Sequence, residues 1–133
     1  MKYIFLSLLI GINLSSNAQQ KDSTRYRLVV HFNSICCGVP DSKPLDNAIK
    51  SFKKAKQFRA ISATHIGPMG REGEYMLAFT LKGMSAAQKK AFIKKIKQTT
   101  LKMTDKGNAS VEENEIIIKS NLPATTTFEK KYY

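Results

Sequence analysis

An α+β fold is what this 133-residue sequence predicts, on three observations. Segments with an apolar residue at every second position alternate with segments whose apolar residues recur every three to four positions. These segments come in the order β-α-β-β-α-β. Clusters of breaker residues, Gly38, Pro40 and Asp41 in one and Gly67, Pro68, Gly70 and Gly73 in another, fall between them. The compact solution to that order is an antiparallel sheet with both helices on one face, a ferredoxin-like βαββαβ two-layer sandwich. In it both βαβ connections can be right-handed.

The first strand is read at 26–32 (YRLVVHF), with Leu28, Val30 and Phe32 on one face and Arg27, Val29, His31 and Asn33 on the other. Residues 34–43 (SICCGVPDSK) form a connection. A helix follows over 44–58, its stripe made by Leu45, Ala48, Ile49, Phe52 and Ala55. Ser42 stands at its N-cap position and Pro44 in its first turn. Residues 59–66 (RAISATHI) give a second strand, and 67–73 (GPMGREG) a turn. Residues 74–81 (EYMLAFTL) give a third strand, with Tyr75, Leu77, Phe79 and Leu81 inward and Glu74, Met76, Ala78 and Thr80 outward.

Ser85 and Gln88 make an S-x-x-Q capping box that opens the second helix. Its stripe is Phe92, Ile93, Ile96, Thr100 and Met103, with Gly107 as a C-cap. The last strand is read at 111–119 around Ile116, Ile117 and Ile118, ended by Pro123. The expected shared core is Leu28, Val30, Phe32, Ile49, Phe52, Leu77, Phe79, Phe92, Ile96 and Ile117.

Residues 1–18 read as a signal peptide. Lys2 is the positive start, 3–14 (YIFLSLLIGINL) the short apolar run, and Ser16-Asn17-Ala18 the small-residue cleavage site. The run is too short to span a bilayer, so no membrane span is expected after cleavage. The expected product is an exported protein, periplasmic or secreted. It is a single α+β domain over 19–133, with a polar leader at 19–24 and a loose tail or extra strand at 124–133. Cleavage takes one basic residue from the 22 present and leaves 21 against 10 acids. Such a balance attracts anionic surfaces. There is no Walker loop and no GxGxxG, and the outward sheet positions lack the aromatics that read RNA, so no nucleic-acid partner is expected. The open face of the sheet is the expected contact surface for a protein partner or a second copy.

The only cysteines, Cys36 and Cys37, are adjacent in the connection before the first helix. They admit three readings. Free thiols are most often buried. A vicinal disulfide would be a redox element. Two thiolates could take a soft ion such as Cu(I). In layout alone the chain resembles the heavy-metal-associated domains of copper chaperones, which hold their ion in this same connection. The resemblance implies Cu(I)-type binding at Cys36 and Cys37. The family's GMxCxxC motif is replaced here by Asn33-Ser34-Ile35-Cys36-Cys37-Gly38, with no spacer and no Met.

His31 is a further candidate ligand or catalytic partner for that pair. Gly70, Arg71 and Gly73 form a candidate anion-binding turn. The sequence holds no GxSxG, HExxH or CxxC. It reads as a small exported binding or accessory protein without catalysis and without a bound cofactor. A soft-metal or thiol redox protein, and a small Cys/His-dependent enzyme, are the alternatives.

Overall fold

The computed structural model describes residues 22–122 and 126–133. The expected signal peptide lies outside the described residues. The elements are β1 (Ser23–Arg25), β2 (Leu28–Ser34), α1 (Lys43–Ala55), β3 (Ile61–Gly67), β4 (Tyr75–Phe79), α2 (Ala86–Thr100), β5 (Gly107–Glu113), β6 (Ile116–Ile118), a 3-10 turn (Lys119–Asn121) and β7 (Thr126–Tyr132). A five-stranded sheet has the order β5-β2-β4-β3-β7, and each neighbouring pair in it is antiparallel. A second sheet is the two-stranded pair β1-β6. No helix among the described residues is long and apolar enough to cross a membrane.

Strand periodicity decides what each face of the large sheet buries. Leu28, Val30 and Phe32 of β2, Ile61 and Ala63 of β3, and Leu77 and Phe79 of β4 share one cluster with Leu45, Ile49 and Phe52 of α1 and Phe92, Ile93 and Ile96 of α2. The residues of opposite parity, Val29, Ile66, Met76 and Ala78, form a second cluster with Tyr26 and Ile117. Nine of the ten expected core residues lie in the first cluster; Ile117 is in the second.

Three expectations change. Met76 and Ala78 were expected to point outward into solvent, yet they are 5% and 1% exposed. The β1-β6 pair lies over that face, with Met69 and Leu122 packed beside it. The open sheet face is therefore covered over β2 and β4. The single last strand at 111–119 is two strands. Asn114 takes a positive φ of 58°, donates its backbone N–H to the Arg27 carbonyl, and accepts from the Arg27 guanidinium. That turn sends Ile116–Ile118 away from the large sheet to pair with β1. Gly107 is not a helix cap: α2 ends at Thr100, and Gly107 opens β5, opposite Ser34. A Cβ there would collide with the Asn33 carbonyl oxygen, so only glycine lets the strands approach so closely.

The tail forms β7, which pairs with β3 from Tyr132 opposite Ile61 to Thr126 opposite Gly67. The capping box of α2 is complete: Gln88 N–H donates to Ser85 Oγ and Ser85 N–H donates to Gln88 Oε1. Ser42 occupies the N-cap of α1 but makes no capping bond there. Its hydroxyl instead reaches Asp46 Oδ2 at 3.5 Å.

Candidate functional site

The connection from β2 to α1 leaves the sheet where the β2–β5 ladder ends, at Ser34 opposite Gly107. Just beyond, the backbone N–H groups of Ile35 and Cys36 both donate to the Lys106 carbonyl, at 3.2 and 3.3 Å. That carbonyl anchors the start of the loop. Cys37 (φ 65°) and Gly38 (φ 114°) then turn the chain through two successive positive-φ residues. Gly38 suits this conformation. Cys37 carries a Cβ there, at a cost of about 1–2 kcal/mol. Pro40 is buried, and Lys43 N–H donates to Asp41 Oδ1 at the start of α1.

Cys36 and Cys37 are joined to each other as a disulfide. Both are exposed, as is Ile35 at 75%. Burial, the base-rate expectation for these sulfurs, is not what the fold does with them. The loop stands off the sheet end, and the core beneath it is filled by Phe32, Val39 and Ala109.

His31 faces away from the helices. Its Nε2 donates to Glu115 Oε2 at 2.8 Å, and both side chains are about a quarter exposed. Glu115 sits between β5 and β6, so this contact ties the β1-β6 pair to the large sheet. His65, the second histidine, lies on the helix side. Its ring stacks between Tyr75 at 4.7 Å and Phe128 at 4.4 Å, and Tyr75 stacks in turn on Phe32 at 4.2 Å. Four near-parallel rings thus cross β2, β4, β3 and β7.

His65 Nδ1 is buried without a hydrogen-bond partner. Burial, and then the nearby Lys130 charge, hold the His65 pKa below its ordinary value. Among the described residues neither histidine bonds to a cysteine, and no group of three His, Cys, Asp or Glu side chains converges as a metal site would require.

Asp46 in the first turn of α1 accepts from Lys130 Nζ at 2.9 and 3.1 Å and from the Tyr132 hydroxyl at 3.2 Å. Burial raises both neighbouring tyrosines: Tyr75 is pushed up to about 12, with Asp46 and Asp41 adding to burial and Ser42 opposing it, and Tyr132 moves further in the same direction. No sequence signal marked this contact, because Asp46 and β7 are some eighty positions apart.

The turn at 67–74 supplies its own anion. The Glu74 carboxylate folds back over Gly70 and accepts from Glu72 N–H at 3.3 Å, while Met69 N–H donates to the Glu74 carbonyl at 2.7 Å. Arg71 is exposed, and Gly73 carries a positive φ of 82°. The concavity expected from Gly70, Arg71 and Gly73 is thus lined by an acid of the same turn.

No protein-family model matches the chain, and comparison with curated proteins and with solved structures returns no match.

Proposed function

We propose that this chain is a small exported binding or accessory protein, not a catalyst. Its working element is the Cys36–Cys37 pair, acting as a reversible thiol–disulfide site. The observation that carries the reading is that the two sulfurs are joined and exposed on a loop tip beside exposed Ile35. A structural disulfide usually staples distant segments, and a bond between neighbours closes no useful loop. Exposure gives a partner thiol access to either sulfur.

The reductant is a thiol or dithiol, small or protein-borne. Its thiolate attacks one sulfur and forms a mixed disulfide. The Cys36–Cys37 bond breaks, and its electron pair leaves on the other cysteine, which takes up a proton. A second reductant thiolate then displaces the first cysteine, which is protonated in turn. One disulfide and two reductant thiols become two protein thiols and one oxidised reductant. The reduced pair offers two adjacent thiolates to a soft ion such as Cu(I).

The scaffold we propose is a ferredoxin-like sandwich extended by β7 at one edge and by the β1-β6 pair on the other face. The order β5-β2-β4-β3, with α1 and α2 as the two crossovers, supports it. The two helices carry nine lysines against the single acid Asp46. That charge supports attraction to anionic surfaces.

Thiol titration tests the site. The oxidised protein should show no reactive thiol before reductant and two after. Two thiols in the protein isolated under air, unchanged by reductant, would overturn the redox reading. Stoichiometric Cu(I) uptake by the reduced protein, lost in both Cys36→Ser and Cys37→Ser, would assign soft-metal binding to the same pair. Uptake that survives either substitution would exclude ligation by both sulfurs.

A further inference from the structure

The five-stranded sheet ends at β7. Its inner side pairs with β3 through seven residues, and among the described residues no strand pairs with its outer side. An unpaired edge of that length is a template for another strand. Natural edges are usually blunted by proline, a bulge or inward charge; the segment TTFEKKY carries no proline, and its one inward charge, Lys130, is held by Asp46. Phe128 on this edge remains 49% exposed.

The residue pattern along β7 says what the edge accepts. We propose that β7 pairs antiparallel with β7 of a second copy about a twofold axis at Lys130, joining two five-stranded sheets into one. That axis places Glu129 opposite Lys131 of the second copy, and Lys131 opposite its Glu129. Phe128 then falls opposite Tyr132, which is 1% exposed with its hydroxyl on its own Asp46, so the charges set the register. Opposite charges facing each other across strands are favourable pairings of an antiparallel ladder.

The axis leaves one like-charge pair, Lys130 against Lys130. Each of these ammonium groups is already held by its own Asp46 and lies 5.1 Å over its own Tyr132 ring. Neither is free to repel at full strength. Glu129 and Lys131 are 56% and 45% exposed and meet each other only at 3.4 Å along their own strand, so both can turn to a facing strand.

The competing registers fare worse. An axis at Glu129 sets two carboxylates face to face. An axis at Lys131 sets two lysines face to face with no carboxylate bound to them as closely. An axis at Phe128 sets Glu129 and Lys130 opposite Thr127 and Thr126, with no charge pair formed. Symmetric pairing of this kind is the commonest route to a closed homo-oligomer.

Sedimentation velocity of the purified protein, over concentrations up to the high micromolar range, reads the equilibrium. The parent chain should dimerise. Glu129→Lys and Lys131→Glu, both at exposed positions, should each raise the dimer dissociation constant by about tenfold or more, because each turns two attractive pairs repulsive. The double substitution exchanges the two charges and should restore the parent value. An equimolar mixture of the two single variants should form a mixed dimer more tightly than either variant alone. Far-UV circular dichroism confirms that every variant is folded. A parent chain that stays monomeric overturns the proposal. So does a dimer indifferent to these substitutions, which would place the contact on another surface such as the helix face.

Discussion

His65 shows how one side chain serves packing at a polar cost. Its ring completes a stack from Phe32 to Phe128, while its Nδ1 is enclosed with no partner. His65→Phe keeps the stack and removes the orphan nitrogen, and should stabilise the protein by about 1 kcal/mol or less. The pH dependence follows from the lowered pKa. The unfolded chain protonates His65 near its ordinary 6.5 while the folded chain resists. Stability is therefore complete above about pH 6.5 and falls as pH drops below it. Thermal unfolding between pH 5 and pH 8 should show this acid slope in the parent and a shallower one in His65→Phe. The tyrosines act at the other end of the scale. The folded state keeps Tyr75 protonated up to about pH 12, so stability should be lost as pH rises above 10, where the unfolded chain ionises first. A parent melting curve flat from pH 9 to pH 12 would contradict that assignment.

Elements were legible where their signal is local. The capping box of α2 spans four residues, and both of its bonds form; Ser85→Ala should cost about 1 kcal/mol by denaturant titration. Strand alternation correctly grouped Leu77 with Phe79, but alternation names a face without saying what covers it. Met76 and Ala78 were misread for that reason: their cover, Ile117, comes from a segment some forty positions later. Ile117, the one isoleucine of 116–118 expected in the core, is the buried one, but three consecutive isoleucines have no alternation to say that it packs on the far face of the sheet, in the second cluster. At the candidate site the unusual adjacency of Cys36 and Cys37 was visible in sequence. Their exposure was not, because it depends on the Lys106 carbonyl that pins the loop from the start of the neighbouring strand β5, some seventy positions later. β7 was half legible, as a tail that reads equally as loose or as an extra strand, yet its clasp to α1 through Asp46 required the fold. Asp46→Ala leaves Lys130 and the Tyr132 hydroxyl without their acceptor and should cost about 1–3 kcal/mol. Hydrogen exchange should show the loss first in 126–132, while α2 keeps its protection; uniform loss across both would mean that the clasp is not local to β7.

At the scale of the whole molecule, the large sheet is buried on both sides over β2 and β4, by helices on one face and by a two-stranded ribbon on the other. The two covers are unequal. Among the described residues the helix side fixes seventeen buried residues in one cluster, the ribbon side six. Among the described residues the ribbon is held by three paired residues on each strand, with the His31–Glu115 contact and the Asp22 bonds to Lys119 and Ser120 at its margins. Ile117 is its central apolar anchor, 6% exposed between Ile116 and Ile118, which are both open to solvent. Replacing Ile117 with Asp sets a carboxylate against Val29, Met76 and Ala78, where it finds no partner, and the ribbon has too little else to hold it down. We expect a loss of about 2–5 kcal/mol, within the 5–15 kcal/mol usual for a domain, so the helices and the large sheet should persist. The variant should keep its far-UV circular dichroism, bind a hydrophobic dye and associate through the uncovered face. Phe79→Asp, placed in the larger cluster between Phe92 and the strands, should instead abolish folding. If Ile117→Asp also unfolds the chain entirely, the ribbon is an integral part of one cooperative core rather than a cover laid over a sheet that stands without it.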